Sequence, residues 1–185
     1  MVAGAIRGFG YHLGDKILVN QEDNEFYFKT DEQMKETIIR RNENHHYWGW
    51  KYPMAADYLE RLLPLLRNPI LVIVARDFVA TAASLVRWDD REPSGAMVEA
   101  AMQMQKNLVL ALRLRVPTLF VSYEKASLDT DSFLTELETF LGRPLVIDRD
   151  RLQAFMLRGS YKSFEETVWP DGLPASARSG QGKAV

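Results

Sequence analysis

The alternation of apolar and polar positions is most informative around one short apolar run. Residues 70–75 are all apolar and mostly β-branched, which is typical of a parallel strand buried on both faces. Arg76 and Asp77 follow directly, and the spacing after them predicts an amphipathic helix over 78–88. One face of that helix carries a set of polar or large residues, namely Asp77, Thr81, Ser84 and Trp88. The segment therefore places a charged residue at the carboxyl end of a strand, where open α/β sheets bind ligands.

The same patterns predict further helices and two further strands along the chain. Apolar residues that recur every three or four positions predict helices over residues 2–9, 31–42, 58–66, 96–114, 131–141 and 151–157. Asp31 is the expected N-cap of the second of these helices. Short apolar runs predict strands over 47–51 and 118–122, the latter again buried. Because strands alternate with helices, we expect an α/β fold with a parallel sheet flanked by helices.

Length and composition are those of an ordinary globular protein. The chain has 185 residues, a formal net charge of −2 and 46% hydrophobic residues, which fits a single domain over 1–170. Residues 171–185 are rich in Gly, Ser, Ala and Pro and predict a flexible tail. The balanced charge gives no reason to expect a nucleic-acid partner. No apolar run approaches ~20 residues, so we expect no membrane partner and a cytoplasmic location.

Three residue types narrow the candidate chemistry. The absence of cysteine excludes disulfides, thiolate zinc sites and cysteine nucleophiles. His45 and His46 are adjacent and would point to opposite faces of a strand, and we expect no metal. Met97, Met102 and Met104 share the longest predicted helix with other apolar residues, and we expect them to form a packed core face.

Several segments, taken in order, resemble the nucleotide-dependent sulfotransferase family. Residues 74–84 resemble its 3′-phosphate-binding strand and helix, in which an Arg and a Ser stand eight positions apart. Residues 48–53 resemble the Lys-x-Pro strand found upstream of that unit in many bacterial members. Residues 120–124 and 140–142 resemble its later strand and helix end, and residues 11–15 its Leu-Gly segment. The resemblance implies a variant of the P-loop fold, and it implies 3′-phosphoadenosine 5′-phosphosulfate as co-substrate.

The resemblance assigns Arg76 and Ser84 to the 3′-phosphate of this donor. An Arg guanidinium suits a terminal phosphate because it offers two parallel hydrogen bonds and keeps its charge. The Ser84 hydroxyl would donate to the same oxygens. The alternative is an ion pair from Arg76 to Asp77 or Glu124 at the strand end, with Ser84 as a small packing residue.

Sulfuryl transfer also requires positive charge at the moving group and a base for the acceptor. Lys51 is the candidate that offsets charge on the leaving group; alternatively, it lies along the neighbouring tryptophans. Family members use His or Glu as the base, which makes Glu25, His45 and His46 candidates, although the closest-matching position for the acid holds Lys29. The expected acceptor is a hydroxyl or amine on a small molecule or glycan, and the sequence leaves a homodimer open.

One part of the family pattern does not occur in this sequence. No Gly-rich phosphate loop is found in the 185 residues, and the resemblance places that loop, with the first strand of the sheet, ahead of residue 1. We therefore expect a sulfotransferase fold missing its first strand. Either the sequence is a fragment of an enzyme, or the protein is a non-catalytic binding or assembly protein that lost the loop. A kinase-like P-loop protein, the third alternative, needs the same loop and a metal-holding Ser or Thr.

Overall fold

The computed structural model describes residues 1–89, 91–157 and 163–169, without the side chains of residues 88–89. These residues form helices, short 3-10 turns and one small parallel sheet flanked by helices. The predicted mixed α/β class with a parallel sheet is therefore confirmed. The predicted tail over 171–185 lies outside the described residues.

The chain divides into two compact units. Unit 1 consists of Met1–Tyr52 and of the described residues from Thr130 onward, and unit 2 is Pro53–Asp129. The single domain expected over 1–170 stays a prediction. In chain order the helices and strands are α1 (Val2–Gly8), α2 (Asp31–Asn44), α3 (Leu59–Leu62), β1 (Leu71–Ala75), α4 (Phe78–Asp89), α5 (Pro93–Leu114), β2 (Thr118–Ser122), α6 (Tyr123–Leu128), α7 (Thr130–Leu141), α8 (Arg149–Met156) and α9 (Phe164–Val168).

The sheet lies in unit 2 and consists, among the described residues, of β1 and β2. The two strands are parallel and in register from Leu71 opposite Thr118 to Ala75 opposite Ser122. A parallel pair needs a long crossover, and α4 and α5 supply it as two helices that pack against each other. The carboxyl ends of both strands therefore lie side by side.

The prediction that these strands are buried on both faces is wrong. Ile73 and Val121 are buried in the middle of β1 and β2, but Ala75 is exposed and Phe120 is 53% exposed. Side chains along a strand point alternately to the two faces of the sheet, so the exposed Phe120 side chain shows that one face of β2 is uncovered at that position. The apolar runs thus predict the two strands correctly, but they do not indicate how many of the side chains are buried.

The first turn of α5 lies outside the predicted helix. α5 begins at Pro93, three residues earlier than expected, because the Glu92 carboxylate accepts hydrogen bonds from the N–H groups of Ser94 and Gly95. Proline at the first helical position needs no such partner, since it has no N–H. The cap and the proline together fix the start of this helix.

The buried side of α5 is not the one that the sequence predicted. Ala96, Ala100 and Leu110 are buried, whereas Met97 is 41% and Met102 is 55% exposed. The expectation that the methionines form a packed core face is therefore wrong for these two. α5 carries apolar residues around most of its circumference, so their spacing alone did not identify the side that faces the core.

A capping box begins α2 in unit 1. The Thr30 hydroxyl accepts from the Gln33 N–H at 3.3 Å, and the Gln33 side chain accepts from the Thr30 N–H at 3.1 Å. The predicted N-cap, Asp31, is instead the first helical residue, because this reciprocal pair satisfies two backbone donors at once. The buried stripe of α2 consists of Met34, Thr37, Ile38 and Arg41.

Two other predicted elements are shorter than expected. In place of the strand predicted over 47–51, the structure has one isolated parallel bridge between Trp48 and His12. The helix over 58–66 is α3 followed by a 3-10 turn at Leu63–Leu65. Pro64 within that turn has no N–H for an α-helical bond, which explains the change.

Candidate functional site

A group of polar side chains in unit 2 follows the adjacent carboxyl ends of β1 and β2. We call Arg76, Asp77, Tyr123 and Glu124 the strand-end cluster. Arg76 is exposed, and its guanidinium carbon lies 5.0 Å from the centroid of the Tyr123 ring. At that distance the ring attracts the cation and orients it. The register of the sheet thus brings together residues that are far apart in sequence.

Both carboxylates of the strand-end cluster bind backbone N–H groups. Glu124 Oε1 accepts from the Asp77 N–H at 3.0 Å, and Asp77 Oδ1 accepts from the Ala80 N–H at 2.8 Å. The second bond caps α4. Over the part of the chain that the structure describes, Arg76 forms no ion pair with either carboxylate. The alternative of an ion pair at the strand end is therefore not what the structure contains.

Ser84, the second predicted phosphate ligand, lies on α4 and is half-buried. By helical spacing it shares a face with Asp77 and Thr81. The Thr81 hydroxyl donates to the Asp77 carbonyl at 2.9 Å, so that hydroxyl is already engaged with the helix backbone. Of the hydroxyls on this face in the described residues, Ser84 is therefore the better candidate donor to a ligand.

Unit 1 contains a buried ionic cluster centred on α2, which we define as Asp23, Glu25, Arg40 and Arg41. Arg41 and Asp23 have 0% exposed side chains, and Arg41 Nη1 lies 2.6 Å from Asp23 Oδ2. Arg41 Nη2 donates to Glu25 Oε2, also at 2.6 Å. Burial raises the pKa of Asp23, and the hydrogen bond and charge of Arg41 lower it again. The guanidinium thus holds the loop before α2 against the helix.

The predicted base Glu25 and the predicted cation Lys51 are both held by partners in unit 1. Arg40 binds Glu25 Oε1 and Arg41 binds Glu25 Oε2, so both carboxylate oxygens are engaged. Lys51 Nζ lies 2.6 Å from Glu22 Oε1, and its side chain is 36% exposed. The lysine is thus part of an ion pair that the sequence did not indicate, because Glu22 precedes it by 29 positions.

The histidines of unit 1 differ in their surroundings. His12 stacks on His45 with ring centroids 3.8 Å apart and an angle of 9° between the planes. Burial, followed by the neighbouring His45, lowers the pKa of His12 to about 4, and burial also lowers that of His45. Both rings are therefore neutral at pH 7. His46 is exposed and is the predicted base that is most accessible.

Sequence reasoning missed the roles of His12 and Arg41. A signal for Arg41 was present, because it stands on the stripe of α2 that also carries Met34 and Ile38. An arginine that is buried at such a stripe position needs a partner that offsets its charge. For His12 we find no local signal, since its stacking depends on His45, which is distant in sequence.

The described ranges show neither a metal-ligand cluster nor a membrane-spanning helix. In residues 1–89, 91–157 and 163–169, no group of three or more His, Cys, Asp or Glu is arranged to hold a metal ion. Within the same ranges no helix has the length and apolar character that a membrane crossing requires.

The predicted site residues are distributed over both units. Arg76 and Ser84 belong to unit 2, whereas Glu25, His46 and Lys51 belong to unit 1. The sulfotransferase family stays a prediction that rests on the motifs and their order. Comparisons with protein-family models, with curated proteins and with solved structures found no match for this chain.

Proposed function

We propose that this chain is a sulfotransferase-like protein of the P-loop fold that binds the 3′-phosphate of 3′-phosphoadenosine 5′-phosphosulfate at the strand-end cluster. The observation that supports this most is the exposed Arg76 at the end of β1, which forms no ion pair among the described residues. It lies next to the end of a parallel neighbouring strand, the usual position of a ligand in an α/β sheet. Its planar fork can bind two phosphate oxygens at once.

The Arg76 guanidinium is not neutralised by the two carboxylates that stand beside it among the described residues. Asp77 and Glu124 accept hydrogen bonds from backbone N–H groups, which leaves the guanidinium for an external partner. The Tyr123 ring, 5.0 Å from the guanidinium carbon, attracts the cation and favours this position of the side chain. Ser84 on α4 adds a hydroxyl donor. The arrangement suits a terminal phosphate, which accepts several hydrogen bonds.

In the proposed reaction, a hydroxyl or amine of a small molecule or glycan attacks the sulfur of the donor. The new bond to sulfur forms as the bond from sulfur to the bridging oxygen breaks, and adenosine 3′,5′-bisphosphate leaves. Lys51 would offset the charge on that leaving group, which requires it to exchange Glu22 for the substrate. The acceptor proton passes to His46, the exposed base candidate, or to Glu25.

A non-catalytic binding protein of the same fold is the second candidate function. It is favoured by the partners that hold the predicted catalytic groups, because Lys51 pairs with Glu22 and Glu25 pairs with two arginines. A protein of this kind would bind the nucleotide through Arg76 and transfer nothing. The two candidates share the binding site and differ in turnover.

The binding claim is tested by calorimetry with adenosine 3′,5′-bisphosphate. We expect Arg76→Ala to weaken binding by about ten- to a hundredfold, because a charge-assisted bidentate contact contributes ~1.5–3 kcal/mol. Arg87→Ala is the matched control, since Arg87 is an exposed arginine at the other end of α4. Adenosine 5′-monophosphate, which lacks the 3′-phosphate, should bind wild type as weakly as the bisphosphate binds Arg76→Ala. No heat from wild type, or equal affinity in Arg76→Ala, contradicts the proposal.

A second assay separates the enzyme from the binding protein. Sulfate-labelled donor is incubated with the chain and a panel of phenols, alcohols and amino sugars. Release of adenosine 3′,5′-bisphosphate together with a labelled product supports the enzyme, and Lys51→Ala should then abolish it. Nucleotide binding without any labelled product supports the non-catalytic alternative.

A further inference from the structure

One side of α5 in unit 2 exposes an unusually large amount of apolar surface. We define the outer face of α5 as Met97, Val98, Ala101, Met102, Gln105, Leu108, Val109 and Leu112, all of them exposed. The exposed fractions of its six large apolar side chains are 41% for Met97, 58% for Val98, 55% for Met102, 46% for Leu108, 39% for Val109 and 79% for Leu112. A contiguous patch of this kind marks an interaction site more often than it marks ordinary surface.

The charged residues of α5 lie beside this face and already have partners. Lys106 Nζ lies 3.0 Å from Asp57, Arg113 lies 3.8 Å from Glu60, and Glu99 pairs with Arg91. Glu99, Lys106 and Arg113 recur every seven residues and form a single stripe along one flank. The outer face itself is uncharged over about four helical turns. Its partner is therefore recognised through apolar contact, which disfavours a nucleic acid or another polyanion.

The outer face has the spacing of a coiled-coil seam. One series with a spacing of seven residues consists of Val98, Gln105 and Leu112. A second series with the same spacing consists of Ala101 and Leu108, which lie between the members of the first. These are the a and d positions of a heptad pattern, here over about 22 Å of helix. The natural occupant of such a seam is another helix with the same pattern.

The seam is also close to symmetric about its centre. Counting outward from Gln105, apolar residues stand at three, four and seven positions in both directions. Two antiparallel copies with their two-fold axis at Gln105 would place Met102 against Leu108 and Val98 against Leu112. The two Gln105 amides would meet on the axis, where each can donate to the other. A closed two-fold dimer requires this kind of self-complementary surface.

Charges at the two ends of α5 favour the antiparallel arrangement. Glu92 caps the amino end, and Arg113 and Arg115 stand at the carboxyl end. An antiparallel pair brings Arg115 of one copy to within about one turn of Glu92 of the other, and it also opposes the two helix dipoles. A parallel pair would instead bring the arginines of both copies together.

We propose that two copies of this chain associate through the outer faces of α5 as an antiparallel pair centred on Gln105. The six large apolar side chains offer on the order of 600 Å² per copy, compared with ~800 Å² for each partner in a standard-size interface. We therefore expect a dimer at the small end of specific interfaces, whose population rises with protein concentration. This proposal is independent of the proposed sulfotransferase function.

The first test is sedimentation velocity of the full chain from low micromolar to several hundred micromolar concentration. We expect wild type to dimerise. The double variant Met102→Glu/Leu108→Glu should stay monomeric, because the antiparallel pair would place a glutamate of one copy opposite a glutamate of the other. The double variant Met102→Glu/Leu108→Lys should dimerise again, because in an antiparallel pair each glutamate faces a lysine of the other copy. In a parallel pair, glutamate would face glutamate and lysine would face lysine. Leu128→Glu is the control, because Leu128 is 78% exposed on α6 and lies off the outer face.

The second test uses the absence of native cysteine to determine the orientation. A mixture of Val98→Cys and Leu112→Cys chains should form a mixed disulfide dimer on oxidation, whereas Leu112→Cys alone should not crosslink. Circular dichroism confirms that each variant is folded. A wild type that stays monomeric at all concentrations overturns the proposal. If that monomer binds phospholipid vesicles, the outer face of α5 binds a lipid surface instead of a second copy. Crosslinking of Leu112→Cys alone overturns the antiparallel arrangement.

Discussion

Arg41 of unit 1 and Arg76 of unit 2 stand in opposite surroundings. In unit 1 the Arg41 guanidinium is fully buried, and Asp23 and Glu25 are its partners. In unit 2, Arg76 is exposed and forms no ion pair with the described residues, and the outer face of α5 exposes six large apolar side chains. The charge of Arg41 is therefore paired inside unit 1, whereas unit 2 presents the charge of Arg76 and the apolar outer face of α5 to the outside.

This difference separates residues that stabilise the fold from residues that are available for binding. A buried ion pair is costly to break, because removing one partner leaves the other charged and without water. An exposed arginine and exposed apolar side chains contribute little to folding. We therefore expect substitutions in the ionic cluster of unit 1 to change stability, and substitutions on the surfaces of unit 2 to change nucleotide binding or self-association.

The largest expected effect is the loss of the buried guanidinium. Arg41→Met should lower the free energy of unfolding by about 3–5 kcal/mol, because Asp23 would stay buried without its cation. Urea unfolding followed by tryptophan fluorescence measures this change, since Trp48, Trp50 and Trp169 all belong to unit 1.

The matched control for this substitution is Arg40→Met on the same helix. Arg40 also binds Glu25, but its side chain is 45% exposed, so its removal should cost at most ~1 kcal/mol. Similar losses in both variants would mean that burial of Arg41 does not set its contribution, and the contrast between the two units would fail.

A smaller effect is expected from the protonation of His12. Its pKa in the folded chain, about 4, lies below the ordinary value near 6.5. As the pH falls from ~6.5 to ~4, the unfolded chain takes up a proton that the folded chain does not. The stability present above pH ~6.5 should therefore decline in this window, by about 1–2 kcal/mol because the ring is partly exposed.

The contribution of His12 is isolated by comparing wild type with His12→Phe. Phenylalanine keeps a ring stacked on His45 but cannot be protonated. Asp23, with a pKa raised by burial, contributes with the opposite sign in both proteins and cancels, so the difference between the two stability profiles reports His12 together with the change at the stacked His45. Profiles that run parallel from pH 7 to pH 4 would show that His12 is not the titrating group.

The smallest effect is expected on the outer face of α5. Leu112→Gln should change the free energy of unfolding by at most ~0.5 kcal/mol at low protein concentration, because Leu112 is 79% exposed. Leu110→Gln, on the buried side of the same helix, should cost more than ~2 kcal/mol. Thermal unfolding by circular dichroism measures both. Equal losses would mean that the outer face is part of a core.

Much of the local structure of this chain was predictable from its sequence. The bounds of β2 match the prediction, and β1 and α4 each differ from it by one residue at one end. A dense β-branched run is a strong signal for a strand, and regular apolar spacing is a strong signal for a helix. Caps were predicted less well, because the Thr30 box and the Glu92 cap depend on side-chain geometry that several polar residues can supply.

For the candidate site residues too, local features were predictable from the sequence and contacts between distant residues were not. The position of Arg76 at the end of a strand followed from the local order of residues, and so did the position of Ser84 on the next helix. The ion pair between Lys51 and Glu22 did not, since it joins residues 29 positions apart that meet only when the chain folds back. Local patterns do not specify which distant residues will meet.

The sequence by itself determined the two strands, the helix that follows β1 and the place of an arginine directly after β1. Tertiary structure alone decided which side of α5 faces the core, how Arg41 is buried and which partner holds Lys51. The physical reason is that periodicity reports that a side of a helix is apolar, whereas burial depends on what packs against it. On α5 the residues turned toward the core are mostly small, and the large apolar ones remain on the outside.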